Sequence, residues 1–113
     1  MEKHIELGYL LDYYGALLTQ RQRALLEQSL LEDCSLAEIA EREGISRQGV
    51  RDALKRGEEQ LYTWERSLGL MKRDVALLHS LSELKKLIGA LPEGKEKMAL
   101  DAKADELYNM IEE

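Results

Sequence analysis

The chain has 113 residues, 44% hydrophobic and 34% charged, with a formal net charge of −6, one proline and no phenylalanine, which suits one soluble helical domain with or without an extension. The single cysteine, Cys34, excludes an intrachain disulfide, and with only His4 and His79 to join it there is no zinc spacing. No apolar run approaches the length of a membrane span, and Met1-Glu2-Lys3-His4-Ile5 lacks the pattern of a signal peptide.

The spacing of apolar residues predicts five or six helices and, with few β-branched residues, an all-α fold. Leu7, Leu10, Leu11, Tyr14, Leu17 and Leu18 recur at helical intervals over about Ile5 to Leu17. Thr19 is a suitable N-cap for a second helix from Gln20 to about Leu31, and Glu32-Asp33-Cys34 is a short polar connection. Ser35-Leu36-Ala37-Glu38 has the serine-then-glutamate spacing of a capping box, so a third helix starts at Ser35 and ends near Glu43. Gly44 can take positive φ in the following turn, and Ser46 caps a fourth helix. Along that helix Val50, Leu54, Gly57, Leu61, Trp64 and Leu68 form one apolar stripe, with Gly69 as the stop. Gly57 on the stripe admits close approach of another helix. A fifth helix, about Met71 to Ala90, repeats the pattern with Leu77, Leu81, Leu84, Ile88 and Leu91. Leu91-Pro92-Glu93-Gly94 breaks it, and a last helix from about Lys95 to Ile111 puts Leu100, Ala104, Leu107 and Ile111 on one face.

Residues 35 to 56 meet the requirements of a helix-turn-helix. Ile39, Val50 and Leu54 supply the small core between the two helices, Ala40 is small where they cross, Gly44 makes the turn and Ile45 plugs the angle. Caps, turn and core positions agree together, which a plain antiparallel helical hairpin does not require. If the motif binds a duplex, the start of its second helix faces the major groove. Ser46 then caps the helix and meets a phosphate, while Arg47, Gln48, Arg51, Asp52 and Lys55 point away from the core. Arg47 and Arg51 are the candidates for base edges, Gln48 suits adenine, and Lys55 and Arg56 suit phosphates. The competing reading is an ordinary solvated helix face. From Ser46 to Arg56 four cations oppose one acid, a local +3, whereas from Leu91 onward three lysines oppose seven acids, a local −4. Gly49 weakens the first turn of the helix and removes a side chain that would obstruct close approach. Thr19 to Arg23 reads as a capped polar first turn, with phosphate contact the lesser alternative. There is no phosphate loop, nucleophile motif or metal spacing, so neither catalysis nor a cofactor is expected. Trp64 reads as a packing anchor.

Tyr14-Gly15-Ala16-Leu17-Leu18-Thr19-Gln20-Arg21-Gln22, then Ser35-Leu36-Ala37-Glu38-Ile39-Ala40 and Ile45-Ser46-Arg47-Gln48, resemble the YlxM family of bacterial helix-turn-helix proteins. Thr19 to Leu68 is also similar to region 4 of sigma factors, the part that reads the promoter −35 element. The first resemblance covers nearly the whole chain and is strongest from Tyr9 to Arg56. It implies a cytoplasmic bacterial protein with a regulatory or accessory role near the signal recognition particle pathway, beside whose genes the family is encoded. Ser29-Leu30, Gly49 and Arg51 depart from the family pattern, at positions where it usually has aromatic residues, alanine and an aromatic.

The expectation is therefore a sigma region 4-like helix-turn-helix bundle over residues 1–68 and a C-terminal helical hairpin over 69–113 that oligomerises. The leading function is regulation through double-stranded DNA; the alternative is a protein- or RNA-interaction module that keeps the motif as scaffold, with signal recognition particle components as partners. Long apolar stripes predict a homodimer formed largely by residues 60 to 111, unless the last two helices fold back on the first four.

Overall fold

A computed structural model of the chain describes residues 1–112. Among these there is no strand, and the fold is all-α: α1 is Lys3–Tyr14, α2 Gln20–Leu30, α3 Leu36–Glu43, α4 Arg47–Leu68, α5 Leu70–Gly89 and α6 Lys95–Glu112, with a 3₁₀ turn at Gly15–Leu17. The expected first helix thus ends three residues early and its last turn tightens into that 3₁₀ turn. The chain divides into two units, Met1–Met71 and the residues from Lys72 onward, so the division falls in the first turn of α5.

In the first unit the helix starts are local in origin. Thr19 Oγ1 accepts from the N–H of Gln22 at 3.1 Å while Gln22 Oε1 accepts from the N–H of Thr19 at 3.2 Å. Ser35 and Glu38 form the same reciprocal box, at 3.1 and 3.0 Å. Both boxes satisfy donors that a helix start otherwise leaves to water. Gly44 ends α3 at φ 67° and Gly69 ends α4 at φ 61°, conformations that cost a residue with a Cβ but not glycine.

The core of this unit is one cluster. Leu7, Leu10, Leu11 and Tyr14 of α1, Leu25 and Leu26 of α2, Ile39 and Ala40 of α3, and Val50, Leu54 and Leu61 of α4 are buried together with Leu18. The stripe of α4 is therefore covered by its own unit as far as Leu61, and Leu68 is exposed. Gly57 lies under α2: a Cβ there would stand 2.8 Å from Leu26 Cδ1, closer than packed carbons approach. Trp64 is half-buried against the cluster, its ring 6.4 Å from that of Tyr14.

A polar clasp closes the end of α4. The buried Tyr14 hydroxyl donates to Glu65 Oε1 at 2.7 Å and accepts from the N–H of Leu70 at 3.2 Å. Glu65 Oε1 also accepts from the N–H of Met71 at 3.1 Å. Tyr14 of α1 thereby helps Glu65 supply two of the acceptors that the first turn of α5 lacks. Burial first, and then the hydrogen bond to Glu65, hold the Tyr14 phenol above its ordinary pKa.

The second unit is thinly cored. Leu81 and Ile88 of α5 and Ala104 of α6 are buried, with Ile111 packed against them. Lys85 of α5 is paired with Asp105 of α6, and the carboxylate holds the ammonium above its ordinary pKa.

Candidate nucleic-acid interface

The turn between α3 and α4 is Gly44-Ile45-Ser46. Ile45 is partly buried against the core, and its N–H donates to the carbonyl of Ala40 at 3.2 Å. Ile39 and Val50 are both fully inaccessible to solvent, so the two helices of the motif meet over the small core that the sequence places there. Gln28, buried on α2, donates from Nε2 to Glu43 Oε1 at 2.9 Å and so fixes the end of α3. That brace was missed from sequence; the pair is 15 residues apart and neither residue sits on an apolar stripe.

Ser46 Oγ accepts from the N–H of Gly49 at 2.9 Å, which caps α4. Gly49 occupies the N3 position, where α2 has Gln22 and α3 has Glu38. A Cβ at Gly49 would stand 3.2 Å from Ser46 Oγ and 3.8 Å from Ile45 Cδ1, so the lack of a side chain relieves the cap itself. Sequence reasoning assigned that relief to an approaching ligand.

Ser46, Arg47, Gln48, Arg51, Asp52, Lys55 and Arg56 are all exposed, on one stretch of one helix. At about 100° per residue, Asp52 falls opposite the Val50–Leu54–Leu61 stripe, with Gln48, Lys55, Arg51 and Arg47 successively nearer the stripe on one side and Arg56 on the other. Three of these side chains are wired together: Gln48 Nε2 donates to Asp52 Oδ1 at 2.9 Å, and Arg51 Nη1 donates to Gln48 Oε1 at 3.4 Å. The i, i+4 and i, i+3 spacings allow both contacts, yet they were not read from the sequence.

Cations beyond α4 are less available. Arg23 pairs with Glu27 at 2.9 Å, and Arg42 lies 3.5 Å from Glu32 and donates to Cys34 Sγ at 3.4 Å. The exposed Glu38 is held below the ordinary carboxylate pKa by the N–H and then the hydroxyl of Ser35, so it is ionised at neutral pH. No group of three or more metal-ligating side chains occurs among the described residues. No helix is long and apolar enough to cross a membrane.

A family model described as "Putative helix-turn-helix protein, YlxM / p13 like" matches residues 1–106. The chain belongs to this family. Within it, the chain is 43% identical to a UPF0122 protein of Thermoanaerobacter sp. (strain X514) over 104 residues, covering 92% of this chain and 89% of that one. It is 48% identical to one from Caldanaerobacter subterraneus over 79 residues, 70% and 68% of the two chains. A relative from Clostridium botulinum aligns over all 113 residues at 36% identity and 95% of its own length. The family description agrees with the helix-turn-helix built by α3 and α4.

Proposed function

We propose that the protein is a non-enzymatic regulator that binds double-stranded DNA with α4 in the major groove, in the manner of sigma factor region 4. The observation that carries this reading is the exposed face at the start of α4, where Arg47, Arg51, Lys55 and Arg56 oppose the single acid Asp52 on the second helix of the motif. Arg47 and Arg51 read base edges; Lys55, Arg56 and the capped start of α4 at Ser46 meet phosphates. Gln48 and Asp52 steer Arg51 through their hydrogen bonds.

The test is a fluorescence anisotropy titration of a random duplex at several salt concentrations. Binding should weaken as salt rises, Lys55→Ala or Arg56→Ala should each lower the log–log salt slope by about 1, and Arg51→Ala should weaken binding. Salt-insensitive or absent binding to every duplex overturns the reading. It would favour the second one, an accessory protein- or RNA-interaction module for which the net charge of −6 speaks; the family resemblance then points to signal recognition particle components, in a bacterial cytoplasm. Two reading helices on one duplex also suit a homodimer, since half-sites repeat about one helical turn apart.

A further inference from the structure

We propose that Asp52 is a base-reading residue: its carboxylate accepts from the N4 amino group of a cytosine while Arg51 beside it donates to a guanine, so the duplex that α4 selects carries a G·C pair at the contact. Gln48 positions the carboxylate and reads no base of its own. The inference rests on the proposed duplex binding and names the class of sequence that the same site takes.

Placement comes first. Asp52 is exposed and falls opposite the Val50–Leu54–Leu61 stripe, so when α4 lies in a major groove with its core side turned away, this acid stands nearest the groove floor. A carboxylate only accepts hydrogen bonds, and it repels phosphate. Its place at the floor keeps it away from the rim, where Lys55 and Arg56 meet phosphates. Those two cations stand three and four residues beyond it, the spacings at which ion pairs form along a helix, yet neither pairs with it. Among the described residues its one hydrogen-bond partner is the neutral amide of Gln48, whose Nε2 donates to Oδ1 at 2.9 Å. Oδ2 is left open towards the groove, and both cations stay available.

Base chemistry then selects what meets it. In the major groove the donors are the amino groups of cytosine and adenine, while guanine and thymine present acceptors. The adenine amino group lies between two acceptors, its own N7 and the paired thymine O4, and both oppose a carboxylate. The cytosine amino group has a C–H on one side and the paired guanine O6 on the other, and an arginine fork occupies that O6 together with N7. Arg51 suits the fork: one Nη1–H goes to the Gln48 carbonyl at 3.4 Å, which orients the guanidinium and leaves its other N–H groups to donate. Gln48 has an N–H committed to Asp52 and its carbonyl to Arg51, the two groups that pairing with adenine uses. It is thereby assigned a positioning role in place of the adenine contact that its type suggests. An A·T pair at this point leaves a charged acceptor facing acceptors, and that penalty against the wrong site supplies the discrimination.

The experiment is selection of bound sequences from a randomised duplex pool by the full chain. Anisotropy titrations then compare the selected duplex with one carrying A·T in place of the contacted G·C pair. The selected sites should share a G·C pair, and the exchange should weaken binding about tenfold or more, the scale of one mismatched pair. Asp52→Ala should bring the two duplexes to within about twofold of each other while leaving the salt slope unchanged, because the lost group meets no phosphate. Asp52→Asn, whose amide suits adenine, should move the preference towards A·T. Gln48→Ala should narrow the discrimination and cost no preference for adenine. These side chains are exposed, so helical circular dichroism should match the parent in every variant. Salt-dependent binding without a shared G·C pair, or an Asp52→Ala variant that keeps the full discrimination, overturns this proposal and leaves duplex binding standing. Absence of salt-dependent binding to every duplex overturns both.

Discussion

Replacing Tyr14 with phenylalanine removes one oxygen atom from the clasp and nothing from the ring that faces Trp64. The lost bond to Glu65 has a carboxylate acceptor, and hydrogen bonds to charged groups contribute about 1.5–3 kcal/mol. The N–H of Leu70 loses its acceptor too, but Leu70 is only partly buried and water recovers part of that bond. Glu65 keeps the N–H of Met71. The sum is a destabilisation of about 2 kcal/mol, or roughly 10 °C in Tm for a domain of this size. Trp64 is the only tryptophan and lies beside the clasp, so its fluorescence in a urea titration reads the first unit directly. A double-mutant cycle with Glu65→Gln should show a coupling of at least about 1 kcal/mol. A Tyr14→Phe variant within about 0.5 kcal/mol of the parent, the range of ordinary surface changes, would refute the reasoning. The sign with pH follows from the raised phenol pKa. The clasp contributes fully below the ordinary phenol pKa, and its contribution is lost as pH rises through the higher folded value.

Two helix-interior glycines should respond oppositely to alanine. Gly8 has nothing within 4 Å of an added Cβ, so Gly8→Ala should stabilise by about 0.5–1 kcal/mol. Gly57→Ala should lose that gain to the collision with Leu26, ending at least about 1 kcal/mol less stable than Gly8→Ala by urea denaturation, with Leu26→Val narrowing the gap. Ser46→Ala should cost about 1 kcal/mol through the lost cap, again read in urea. Glu38 has a depressed folded pKa, so the capping box contributes fully above the ordinary glutamate pKa of 4.5 and is lost as pH falls through the lower folded value. A carboxylate NMR titration should place its midpoint below 4.5.

What could be read from the sequence divides by range. Caps, turn glycines and the Pro92 break act within four residues of themselves, so helix limits were legible to within a few positions. The clasp was not: Tyr14 and Glu65 are 51 residues apart, and each looks ordinary on its own helix, one as a core aromatic and the other as a solvated acid. The apolar stripes show the same limit. Those of α4 and α5 have one spacing, yet the first is covered as far as Leu61 and the second is open at Leu77 and Leu84. Periodicity gives the face that avoids water and not the surface that covers it. At the candidate interface, exposure of all seven residues followed from the helix period, while the hydrogen bonds among Gln48, Arg51 and Asp52 depend on rotamers that spacing alone leaves open.

The capping boxes carry a consequence for anions. At the starts of α2 and α3 a side chain from the first turn folds back over the N-cap N–H, and at α3 that side chain is an ionised carboxylate. Both positive helix ends are thereby plugged from within, the second by a charge that repels phosphate. At α4 the equivalent position is Gly49, which has no side chain to fold back. Of these three starts α4 alone has no first-turn side chain over its N-cap N–H, although Ser46 Oγ caps the N–H of Gly49 as at the other two, so a phosphate approaching the motif would meet its least obstructed dipole end beside Arg47. An N3 glutamate in place of Gly49 would close it, and the chain would then offer a duplex no helix start among the three.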